Sequence, residues 1–198
     1  MKPNQAEIVA IACSIFRKEI ESLLAEKKID IPFIYIDSML HMVPSELNLR
    51  LQAAVSDKSQ KDKAIVMVYG DCSAHMIDFE SDDHIARVRG INCCEIMLGK
   101  EHYRRLRSEG AFFLMPEWTI RWREVFQHQL GLKGDTARSF MMEMHKKLIY
   151  IDTGITPVPE SYLNDISEYS GLPWEILPVS SDHLLASINE AKERIQRR

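Results

Sequence analysis

Three cysteines in this 198-residue chain, Cys13, Cys72 and Cys93, each sit just past an apolar run of the kind that forms a strand, with spacings of 59 and 21 positions. Thiolates ligate soft and borderline metals, and the loops at one end of a parallel sheet can gather residues that are remote in sequence. His41, four residues after Asp37, adds a nitrogen donor. Cys13, His41, Cys72 and Cys93 would then form a Cys₃His set for zinc, or the three thiolates would hold an iron-sulfur cluster with an open or foreign fourth position. The competing reading is packing, because cysteine is among the most buried residue types and behaves as a small hydrophobe. Thiol chemistry without a metal is the third. Cys94 reads as packing and faces elsewhere if a helix begins there.

The carboxylates near these thiols belong to a repeated pattern. Tyr35-Ile36-Asp37-Ser38 runs to Val43-Pro44, and 115 positions later Tyr150-Ile151-Asp152-Thr153 runs to Val158-Pro159. In each copy an apolar run ends in Asp plus a hydroxyl residue, and a Pro seven residues after the Asp opens a helix, as Pro does at a first helical position. Asp37 and Asp152 are either a general acid/base pair turned toward one cleft or, more ordinarily, turn and helix caps. Asp71 and Glu117, at two further strand ends, complete the cleft candidates. The Gly70-Asp71-Cys72-Ser73 loop has too little glycine for a phosphate cradle, and no nucleotide motif occurs elsewhere. His75 reads as a polar loop residue, and Trp118 and Trp122 as packing on one helix face. Phe140, Met141, Met142 and Met144 form an adaptable apolar set, either core or a dimer contact.

Positioning such residues needs strands that alternate with helices. Apolar runs predict strands over residues 8–13, 32–37, 64–69, 85–91, 111–115, 148–152 and 175–179, the fourth interrupted by Arg87 and Arg89. Helical spacing follows the first run and recurs from Pro44, near Cys93, over 117–130 and 135–146, from Pro159 and from Asp182. The fold class expected is α/β, a mostly parallel sheet flanked by helices, with internally duplicated βαβαβ halves at about 1–108 and 109–198. No linker rich in Pro, Gly or Ser parts them, so one domain over 1–198 with a shared core is expected. Ligands in such sheets bind beyond the carboxyl ends of the strands.

Composition narrows the function classes. A 45% hydrophobic fraction excludes a mainly disordered chain, and a net charge of −4 with interspersed signs leaves no electrostatic footprint for nucleic acid. Met1-Lys2-Pro3-Asn4-Gln5 lacks a signal-peptide core and no apolar run reaches the roughly eighteen residues of a membrane span, so no membrane partner and a cytoplasmic setting with reduced thiols are expected.

Ala12-Cys13 followed by Glu19, Asp37-x-x-Leu40-His41-x-x-Pro44, Val68-Tyr69-Gly70-x-Cys72, Cys93 six residues before the Gly of Leu98-Gly99, Trp118 and Tyr150-Ile151-Asp152-Thr153-Gly154 together resemble the motif series of a domain-of-unknown-function family found in methanogens and other anaerobes. The resemblance covers about residues 8–180. It implies a place near corrinoid-dependent methyl transfer, with a corrinoid or methyltransferase protein as partner. Where that family usually has Asp before its fourth-strand Cys, this chain has Asn92, which removes a carboxylate from the expected site. A non-catalytic accessory or small-molecule-binding protein is the competing class. The Asp-hydroxyl strand ends also look like those of cofactor-independent amino-acid racemases, a thiol-based isomerase reading opposed by the absence of any cysteine after Cys94.

Overall fold

The computed structural model describes residues 7–57, 59, 63–129 and 134–197. The N-terminal residues 1–5 and the end of the helix expected to reach 130 lie outside them. Strand β1 (Ile8–Cys13) is apolar on both faces, as a strand buried inside a parallel sheet must be. A 3-10 turn (Ser14–Phe16) and helix α1 (Arg17–Ala25) return the chain to β2 (Phe33–Ile36). A second 3-10 turn (Ser38–Met42) leads into α2 (Pro44–Val55), which opens on Pro44 as expected. Then come β3 (Ala64–Val68), the short α3 (Met76–Glu80), β4 (Ile85–Arg87) and α4 (Cys93–Leu98).

These four strands form one parallel sheet in the order β2-β1-β3-β4. Alternation along β1 puts Val9, Ile11 and Cys13 on one face. There they join Ile36, Ile65, Met67 and Tyr69 beneath Leu47 and Leu51 of α2 and Met76 and Phe79 of α3. Ala10, Ala12 and Val66 point the other way and are fully buried. Helix α9 (Asp182–Gln196) packs on β3 and β4. Its Lys192 is ion-paired with Asp30 at 2.7 Å, and its Arg194 donates to the carbonyl of Arg87.

The remaining elements make a second sheet. After α5 (Lys100–Ser108) come β5 (Ala111–Leu114), α6 (Pro116–Ile120), a π turn (Glu124–Gln129) and α7 (Gly134–Met144). Strand β6 (Lys147–Asp152), α8 (Glu160–Ser170) and β7 (Trp174–Pro178) follow, and the parallel order is β5-β6-β7. Trp122, 3% exposed, packs against Phe126 and Tyr169, which bears out packing for that residue. Met141 is core, whereas Phe140, Met142 and Met144 are exposed.

The protein is therefore α/β with parallel strands joined through helices, built on two sheets. Its compact units are Met1–Met97 with Ser181–Arg198, and Leu98–Ser180. The break falls near 97 rather than 108, and the last helix returns to the first unit. Strand β4 stops at Arg87, short of the expected Ile91, because the chain turns at Gly90, whose φ of 139° suits only glycine. The repeated pattern forms a strand, a loop and a helix in both copies. Pro159 precedes its helix, which begins at Glu160, because its ψ of 65° is not helical. The likeness ends there: β2 is an edge strand bonded to β1 alone, and β6 is the centre of its sheet. Among the described residues no helix is long and apolar enough to cross a membrane.

Candidate functional site

In the first sheet β1 and β3 are neighbours although β2 lies between them in the chain. The connection from β1 goes outward to β2 and the next returns across to β3, so the two crossovers diverge above the β1/β3 boundary. A parallel sheet opens a crevice at such a switch point, beyond its carboxyl ends. Cys13 closes β1, and Tyr69, Gly70, Asp71 and Cys72 follow β3.

The strand-end loops are tied to one another. Ser14 Oγ accepts the Ser38 backbone N–H at 2.9 Å, joining the end of β1 to the end of β2. Asp37 Oδ1 accepts the Met39 N–H at 2.9 Å and so caps the 3-10 turn that carries His41. On the other side the Asp71 N–H donates to the Ile91 carbonyl at 2.9 Å. Gly70 permits this approach, because a Cβ there would lie 2.6 Å from Asn92 Cα and 2.8 Å from the Ile91 carbonyl carbon. The loop bearing Cys93 is thereby held against the one bearing Cys72.

Arg87, an interruption of a strand when read in sequence, fastens the same loop. Its side chain is 12% exposed and pairs with Asp71 at 2.8 Å and Glu80 at 2.7 Å. It also donates to the Tyr69 carbonyl at 3.5 Å. Asn92 accepts the Glu95 N–H at 2.9 Å and so caps the start of α4. Asn and Asp cap helices about equally well. Asn92 therefore keeps the structural role that an Asp would have.

None of the four cysteines is in a disulfide, and each is partly buried. Burial, with the Cys93 thiol beside it, pushes the Cys72 thiol up to about 12, against a smaller opposing pull from a Gly70 backbone hydrogen bond and the Arg87 guanidinium. Cys72 is accordingly a neutral thiol at physiological pH. A hydrogen bond with Cys93, reinforced by burial, pushes Cys94 up as well. The Cys94 thiol is thus buried and hydrogen-bonded to its chain neighbour Cys93. Burial lowers His41. Tyr69, 2% exposed, is pushed well above the usual phenol range by burial first and then by Cys13, Cys72 and Asp37.

The thiols and His41 were expected to form a metal set. The described residues contain no group of three or more His, Cys, Asp or Glu side chains placed to hold a metal ion. Around the Tyr69 phenol, Cys72 is held in its thiol form by burial. Glu117 and Asp152 belong to the second unit. Glu117 pairs with Arg121 at 3.5 Å, and Asp152 Oδ1 accepts the Gly154 N–H at 2.9 Å. Asp37 and Asp152 therefore do the same local work, each bonding a backbone N–H two residues on. Sequence reasoning passed over Tyr69, Ser14 and Arg87 as site residues. Tyr69-Gly70 before Cys72 was the available signal.

Residues 35–188 match the family described as Protein of unknown function (DUF1638), and the chain belongs to that family. No curated protein and no solved structure matches it.

Proposed function

We propose that this member of the DUF1638 family binds a small molecule in the crevice above β1 and β3. The observation that carries the reading is the meeting of Cys13, Cys72 and Tyr69 at the switch point of the first sheet, where parallel sheets hold their ligands. The residues around them serve as struts: Ser14, Gly70 and Arg87 fix the loops, and Asp37 caps a turn. A fragment library screened against the isotope-labelled full chain by NMR tests this. Hits are expected to move the backbone resonances of residues 13–14, 37–38 and 69–72. Hits that map consistently to another surface overturn it.

The iron-sulfur or zinc reading is a second proposal, favoured by the neighbouring thiols of Cys72 and Cys93. A link to anaerobic one-carbon or corrinoid-linked metabolism, with a methyltransferase or corrinoid protein as partner, comes from the family resemblance. A metal would have to draw off a proton that burial holds on Cys72. Metal and sulfide analysis of anaerobically purified protein, wild type beside Cys72→Ser and Cys94→Ser, decides it. Near-stoichiometric iron or zinc lost only in the first variant supports the proposal, and metal-free wild type removes it. A cytoplasmic setting belongs to the same proposals, since it keeps thiols reduced.

A further inference from the structure

We infer that the crevice takes an uncharged ligand through an oxygen or nitrogen acceptor that receives the hydrogen bond of the Tyr69 phenol. This rests on the small-molecule reading and names its ligand class. Tyr69 is 2% exposed, and its hydroxyl is enclosed with no hydrogen-bond partner among the described residues. A buried donor left unmet carries a desolvation penalty that nothing offsets, and Phe would fill the same space without it. The hydroxyl is therefore either a liability or a contact made with something else.

Its surroundings say where it lies. Tyr69 packs on the face that holds Cys13, Ile36 and Cys72. These lie at the ends of β1, β2 and β3. The phenol thus lies where the three strand ends meet.

The charges nearby select against an anion. The Arg87 guanidinium is committed to Asp71 and Glu80. The Asp37 carboxylate at the end of β2 would repel a second negative group. A carbonyl, an amide or a ring nitrogen on an apolar body meets both conditions, because a neutral acceptor satisfies the phenol without needing a cation.

The test uses three probes of one shape, benzamide, benzoate and benzylammonium, with toluene as a control, titrated into the full chain and into Tyr69→Phe by NMR. Benzamide is expected to shift residues 13–14 and 69–72 saturably and to bind at least about ten-fold more weakly to Tyr69→Phe. Tyr69→Phe itself should melt at or above the wild-type temperature. The ligand class is overturned if benzoate, benzylammonium or toluene binds there as tightly as benzamide, if Tyr69→Phe leaves benzamide binding unchanged, or if that variant melts several degrees lower. If none of the four probes moves those residues while fragments bind elsewhere, the binding reading itself fails.

Discussion

Gly70 and Asn92 approach so closely that the backbone of one occupies the space a side chain on the other strand end would need: a Cβ at Gly70 would stand 2.6 Å from Asn92 Cα. Both neighbours are backbone atoms, so the strain of a substitution has no flexible side chain to absorb it. Gly70→Ala should push the β4–α4 loop away and destabilise the first unit by about 1–3 kcal/mol. Urea unfolding measures the loss. Cys72 should also become more reactive toward a thiol reagent in the native state, because the loop that covers it moves; unchanged stability together with unchanged labelling would count against Gly70 as the hinge of the site.

Arg87 holds two carboxylates from a nearly buried position. Replacing it by Leu leaves Asp71 and Glu80 facing each other without their shared cation. Because both carboxylates retain solvent, the expected cost is about 1–3 kcal/mol rather than that of a fully buried pair. Asp71→Asn should cost less and should recover part of the Arg87→Leu loss in the double variant. A strictly additive double mutant would show that the pair does not interact.

The Cys72 thiol gives alkaline stability a definite sign. The unfolded chain releases this proton near 9, whereas the folded protein holds it to about 12. Stability is therefore complete below pH 9 and falls as pH rises between the two values, by up to about 1.4 kcal/mol per pH unit. Tyr69 adds to the fall above 10. Unfolding curves from pH 8 to 10.5 should slope less steeply for Cys72→Ala than for wild type.

His41 acts at the other end of the range. Burial lowers its value below the ordinary 6.5, so the unfolded chain takes up a proton before the folded one does. Its contribution is present above about pH 6.5 and is lost as pH falls through the lower folded value. His41→Gln should flatten stability between pH 6.5 and 5, read by thermal unfolding in a buffer series. An identical acid slope in the variant would assign the effect elsewhere, His145 being another histidine lowered by burial.

Asn92 is a cap before anything else. Asn92→Asp should leave stability within about 0.5 kcal/mol, and Asn92→Ala should cost about 1 kcal/mol through loss of the bond from the Glu95 N–H. If Asn92→Asp instead produced metal binding or a new activity, the carboxylate expected here from the family resemblance would have a chemical role that capping does not supply.

The sequence by itself determined the elements whose signal is local. Continuous apolar runs marked β1 and β3, because a strand covered on both faces has no polar side to show. Asp37 and Asp152 could be read as turn groups because the bond each makes spans two residues. Pro44 marked a helix start because its ring fixes φ wherever it stands. The class, α/β with parallel strands, followed from alternation alone. Only the tertiary structure decided which strands are neighbours, and with that the site. The order β2-β1-β3-β4 places Cys13 beside Tyr69 and Cys72 across more than fifty residues of chain, and periodicity carries no information on pairing at that range. The same holds for the return of α9 to the first unit, and for Arg87, which looks like a flaw in a strand until Asp71 and Glu80 are brought around it. Tyr69 read as one more apolar strand residue for the same reason: whether a phenol has a partner is settled by the groups that folding assembles around it, and those come from three separate strand ends.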